Sequence, residues 1–155
     1  MFGSKLKDDE KPKIKLKVTR PSSTYSEGEF VEGKILITGI RRKINSLSIQ
    51  SMGTFAPSNN QKVTEVVPQI TKLQKMHLFD FEKSLVTDYV VSGSVKKSFK
   101  FKLEGNPGKP IFETYYGYMF ATKYVVYANC KVDDNQEGQA KVEIQIRSYV
   151  RHILT

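Results

Sequence analysis

The chain has no tryptophan, one cysteine and two histidines among its 155 residues. A lone cysteine, Cys130, forms no internal disulfide, which suits a reducing compartment. With the distant His77 and His152 it supplies no zinc set, since zinc needs clustered thiolate and imidazole ligands. The same scarcity removes the base that a serine or cysteine nucleophile requires beside it. Long apolar runs are also missing. No stretch approaches the ~20 residues that span a bilayer, and Met1 to Lys13 is charged where a secretory signal would be apolar. These absences place the expected protein in the cytoplasm. The glycines never reach the spacing of a P-loop or dinucleotide fingerprint. The acidic pairs Asp8-Asp9 and Asp133-Asp134 fall in a polar leader and a turn, so neither reads as a calcium loop. No catalytic, cofactor-binding or metal-ligating residue is therefore assigned, and the expectation is a protein that is not an enzyme and takes no cofactor.

What the chain has in excess is positive charge. Lys and Arg outnumber Asp and Glu by 25 to 16, a formal +9, which favours anionic partners: phospholipid headgroups, acidic peptides or nucleic acid. Surface lysines also keep a β protein soluble and blunt its edge strands. A content of 39% hydrophobic residues is enough, at this length, to bury a core without disulfide or metal.

The dominant pattern is alternation. Ile14, Leu16 and Val18 alternate with Lys13, Lys15 and Lys17, and Pro21 ends the run. Gly28 and Gly33 bracket a turn into the strand Lys34 to Thr38. Leu47, Ile49 and Ser51 share one face of a third strand. Phe99, Phe101 and Leu103 alternate with Lys100 and Lys102, ahead of a long turn from Gly105 to Pro110. Tyr124, Val126, Ala128, Cys130 and Val132 share a face, as do Val142, Ile144, Ile146 and Val150 across the next turn. By parity Cys130 is a buried core thiol. Residues 62–92 are read as strands and loops, with Val63 to Val67 as strand, although Ile70, Leu73 and His77 also fit helical spacing. Short strands with regular turns and no convincing helix give an all-β class, an immunoglobulin-like antiparallel β-sandwich. Residues 1–12, polar and without period, form a flexible leader, and 13–155 form one domain.

The run Phe112-Glu113-Thr114-Tyr115-Tyr116-Gly117, closing a long turn and opening a strand, resembles the Glu-Ser/Thr-Tyr-x-Gly stretch of the arrestin-like vacuolar protein sorting family. That family comprises the small arrestin-fold subunit of the retromer and its retriever paralogue, the Down syndrome critical region type. Thr114, together with Tyr25, Gly28-Glu29 and Gly33 ahead of an apolar strand, is more similar to the retriever side. The resemblance runs in order from about Lys13 to Val150 and implies an arrestin N-terminal-domain type sandwich, the first of the two that the family carries. It further implies a non-enzymatic scaffold or adaptor of an endosomal cargo-sorting complex, serving endosome-to-plasma-membrane or endosome-to-Golgi transport. Implied partners are other subunits of the complex, sorting nexins and cargo proteins, with peripheral association with endosomes.

Glu113, Thr114, Tyr115 and Gly117 are read as mainly structural, with Gly117 supplying an unusual backbone angle and a tyrosine tying the corner through its hydroxyl. A basic strip of Lys13, Lys15, Lys17, Arg41, Arg42, Lys43, Lys96, Lys97, Lys100 and Lys102 is the candidate contact for an anionic membrane or acidic partner. Tyr149, Val150, Ile153 and Leu154 are expected to pair copies of the isolated domain as a homodimer. The alternative function is a basic β domain that binds nucleic acid, which the lack of an RNP-like motif disfavours.

Overall fold

The computed structural model describes residues 13–40, 43–90, 93–105, 111–132 and 136–147. Their elements in chain order are strands Lys13–Val18 (β1), Thr24–Ser26 (β2), Phe30–Ile40 (β3) and Lys43–Pro57 (β4), then helix Gln61–Val66 (α1) and a 3₁₀ turn, Pro68–Lys72. Strands Met76–Val90 (β5), Gly93–Lys102 (β6), Tyr115–Tyr116 (β7), Phe120–Val132 (β8) and Gln136–Arg147 (β9) follow. The leader, Arg41, Arg42 and the segment carrying Tyr149, Val150, Ile153 and Leu154 lie outside the described residues.

Two sheets form. The smaller has the order β1-β3-β6, and the larger β2-β9-β8-β4-β5, with β7 added beside β8. Pairing is antiparallel except that β2 joins β9 in parallel, through Thr24 to Gln145 and Tyr25 to Ile146. Alternation explains the layering, because each strand turns one set of side chains inward. Val31, Ile35 and Ile37 of β3 and Phe99 and Phe101 of β6 meet Leu47, Ile49, Tyr124, Val126 and Ile144 in one core. Cys130 is 1% exposed and lies on the face of Tyr124, Val126 and Ala128, as the alternation predicts. Burial pushes its thiol up to about 11.

The region 61–72 departs from the sequence expectation. Val63 to Val67 was expected as strand, but the Asn60 side chain accepts from the Lys62 amide at 2.9 Å and starts a helix there. Val63 and Ile70 are buried beneath this connection, and Pro68, which lacks an N–H, prevents the helix from continuing. Leu73 ends the 3₁₀ turn and His77 lies in β5, so the helical spacing of Ile70, Leu73 and His77 does not mark one helix. The strands β4 and β5 run 15 residues each, longer than the alternation alone suggests. Register shifts after Leu47 and Gly53 keep their inner faces on the core. At Gly53 a Cβ would stand 2.5 Å from the Tyr124 ring, so only glycine lets that ring cross β4.

Candidate functional site

The stretch 112–124 is where backbone pinning decides what faces solvent. The Tyr124 hydroxyl donates to the Phe112 carbonyl at 2.6 Å, and the Thr122 hydroxyl donates to the Glu113 carbonyl at 2.6 Å. Thr114 exchanges two bonds with Ile146: its N–H donates to the Ile146 carbonyl at 2.9 Å, and its hydroxyl accepts from the Ile146 amide at 2.8 Å. Desolvation is the main reason the Tyr124 hydroxyl is pushed up to about 12, so it stays a proton donor at any physiological pH. The corner tie is thus made by Tyr124 rather than by Tyr115. Gly117 does not have a positive φ. Its role is space: a Cβ there would collide with the end of the Tyr115 ring, while its N–H closes the turn onto the Phe120 carbonyl at 3.0 Å.

With the backbone held, the large side chains of this segment point away from the core. Phe112, Tyr115, Tyr116 and Tyr118 are each about half exposed or more, reaching 64% at Tyr118, and Met119 and Phe120 are exposed as well. Tyr115 packs on Phe120 with ring centres 4.9 Å apart, and Phe120 touches Phe55 at 5.2 Å. Beside them lies an open groove of about 640 Å³, lined by Phe55, Leu78, Ile111 and Phe120 together with the carboxylates Glu27 and Glu113. Sequence reasoning found the motif but not this rim, because alternation reports parity and not whether a strand end has a second sheet above it. The available signal was density: six large apolar or aromatic residues between Phe112 and Phe120 exceed what one buried face can take.

A separate cluster ties the turns around β2. Arg20 grips both carboxylate oxygens of Glu29 at 3.2 and 3.1 Å and donates to the Thr24 carbonyl at 2.7 Å. The guanidinium lies 4.5 Å from the centre of the buried Tyr25 ring. Glu29 also accepts from the Ser26 amide at 2.6 Å, and the Arg20 contact first, then this bond, lowers its carboxyl below the ordinary value. The Tyr25 and Glu29 noted in the sequence therefore build a clasp.

The basic strip resolves into one face and several outliers. Lys13, Lys15, Lys17, Lys96, Lys100 and Lys102 all stand exposed on the outer face of the smaller sheet. Lys34, which the sequence reading passed over, joins them, paired laterally with Lys17. Lys97 does not share this face, because it has the parity of Val95 and Phe99 and is half-buried. Lys43 opens β4 in the other sheet, and Arg41 and Arg42 lie outside the described residues. Two carboxylates among the described residues meet these lysines: Glu32, 3.3 Å from Lys100, and Glu104 just past the end of β6, 3.9 Å from Lys102. The outer face of the larger sheet is balanced, with Asp80, Glu82, Glu137 and Glu143 against Lys123, Lys131, Lys141 and Arg147.

Among the described residues no group of His, Cys, Asp and Glu is arranged to hold a metal ion, and no helix is long and apolar enough to cross a membrane. No protein-family model matches the sequence, and no curated protein matches it. Among solved structures, the sporulation control protein Spo0M from Bacillus subtilis matches with a TM-score of 0.63 at 12% identity, over 93% of this chain and 53% of that one. The chain spans about half the length of that neighbour. The likeness is one of fold, and the fold is an arrestin-like β-sandwich.

Proposed function

We propose that this chain is a non-enzymatic scaffold domain of an endosomal cargo-sorting complex of the retromer or retriever type, nearer the retriever side, and that it works by holding protein partners. The observation that carries the reading is the exposed aromatic rim raised on the Glu113-Thr114-Tyr115-x-Gly117 stretch. A contiguous apolar surface beside a groove is a recognised mark of a protein interface, and tyrosine and phenylalanine are the residues that anchor such interfaces. The groove's apolar lining and its two carboxylates fit an apolar segment of a sorting-complex subunit or adaptor that carries a basic side chain at its edge. The arrestin-like sandwich supports the reading, since folds of this kind generally serve binding rather than catalysis. Peripheral placement on endosomes follows from the same reading.

The test mixes the chain with the purified large helical-solenoid subunit of each complex and with a sorting-nexin adaptor. At least one is expected to bind, and Phe112→Asp with Tyr118→Asp should weaken that binding by about thirtyfold or more, the loss typical of two anchor residues. Both side chains are exposed, so the melting temperature should hold. Failure of every subunit to bind, or binding indifferent to the two substitutions, overturns the proposal.

A further inference from the structure

The outer face of the smaller sheet has a composition that the protein-docking reading does not use. Lys13, Lys15 and Lys17 of β1, Lys34 of β3, and Lys96, Lys100 and Lys102 of β6 stand on it together, against Glu32 and, at the end of β6, Glu104. The pairing sets their lattice. Lys15 and Lys96 flank Leu36 in one row, and Lys17 and Lys34 sit side by side in the next. With strands ~4.8 Å apart and same-face residues ~6.7 Å apart along each strand, the charges tile a patch roughly 10 by 27 Å. At one corner Phe30, on the same face, is 47% exposed beneath the Lys100 ammonium, 4.5 Å from the ring centre.

We infer that this face seats the domain on an anionic lipid bilayer, with the lysines over the headgroups and Phe30 at the apolar boundary. Three features favour a bilayer over nucleic acid. The described cations of the face are all lysines, point charges suited to a diffuse anionic plane, where phosphate recognition favours the bidentate fork of arginine. The face is a three-stranded sheet and offers no helix or ribbon to enter a duplex groove. Binding of single strands relies on a row of stacking aromatics, and here one phenylalanine stands at the margin while the aromatic rim belongs to the other sheet. A lysine face with a marginal aromatic is instead the composition of an interfacial surface. The inference does not depend on the identity of any protein partner.

Flotation with vesicles of equal parts phosphatidylserine and phosphatidylcholine, beside pure phosphatidylcholine vesicles, tests it on the full chain alone. Binding should be confined to the anionic vesicles and should fall steeply with added salt. Lys15→Glu with Lys96→Glu should weaken it by about thirtyfold or more, since each lysine near an anionic surface contributes about fivefold. Lys131→Glu with Lys141→Glu makes the same change in net charge on the opposite sheet. It should alter binding by less than about threefold, because those charges lie beyond a Debye length of about 8 Å from the membrane. Phe30→Ala should lower the binding that survives at high salt. Equal binding to neutral vesicles, equal loss in both double variants, or capture by a single-stranded oligonucleotide that displaces the vesicles would each overturn the inference. None of these outcomes would bear on partner binding at the aromatic rim, so the two proposals fail separately.

Discussion

The two sheets share one core and differ on their outer faces. Among the described residues the smaller presents seven lysines against Glu32 and Glu104, while the larger sets four carboxylates against four cations and threads a polar ladder from Gln50 through Asn129 to Gln139. A formal charge of +9 could have been scattered evenly for solubility. Strand pairing concentrates it instead, because every second residue of three adjacent strands falls on the same side. The larger sheet differs again at the end where β7 joins β8, since its apolar residues there continue outward as a rim. Net charge is thus a property of the chain, whereas a charged face is a property of register.

The largest effects should come from the shared interior, where the two sheets ought to respond alike. Cys130→Asp would bury an unpaired charge in the larger sheet and should destabilise the domain by about 3–5 kcal/mol. Phe101→Ala in the smaller sheet, where the ring stacks on Phe81 at 4.9 Å, should cost a similar ~3–5 kcal/mol. Chemical denaturation of both variants checks the shared core, and a much smaller loss for Phe101→Ala would show the small sheet to be loosely held. With its thiol raised to about 11 and buried, Cys130 should react with a thiol reagent far more slowly in the native than in the denatured state.

Tyr124→Phe isolates the corner that supports the rim. It removes one hydroxyl and leaves the Phe112 carbonyl without that donor, so about 1–3 kcal/mol should be lost. If the rim depends on this tie, partner binding should weaken with it.

Much of the fold was legible because β1, β6, β8 and β9 each keep one strict inner face, so their residues alternate by twos. The same rule explains the failures. Lys96 and Lys97 are adjacent and necessarily point to opposite sides, so a strip that counted both could not be one surface. Lys34 opens the apolar run Ile35-Leu36-Ile37, which masks its outward parity in the sequence. In the helix Gln61–Val66 the β-branched residues suggested a strand, and the informative residue was Asn60, a capping side chain just before the first turn. The groove beside the rim was not legible, since it joins Phe55, Leu78 and Phe120 from three strands far apart in sequence.

Smaller effects sharpen the contrast in charge. Lys15→Glu with Lys96→Glu should shift stability by no more than about 0.5 kcal/mol, because both side chains are exposed. A pH titration probes the Arg20–Glu29 clasp. Glu29 has a folded-state pKa below its ordinary 4.5, so its contribution is present above that value and is lost as the pH falls through the folded-state pKa. Arg20→Met should therefore lower the melting temperature at neutral pH and have a diminishing effect in acid. An effect that grows in acid would contradict the assigned cause.

The central claim is that the aromatic rim, not the lysine face, receives the protein partner. Amide hydrogen exchange, measured with and without the sorting-complex subunit that binds, tests it most directly. Slowed exchange confined to the segment from Ile111 to Tyr124 and the facing ends of β4 and β5, with β1 and β6 unchanged, is the predicted result; protection of β1 and β6 that leaves Tyr115 to Phe120 untouched would contradict it.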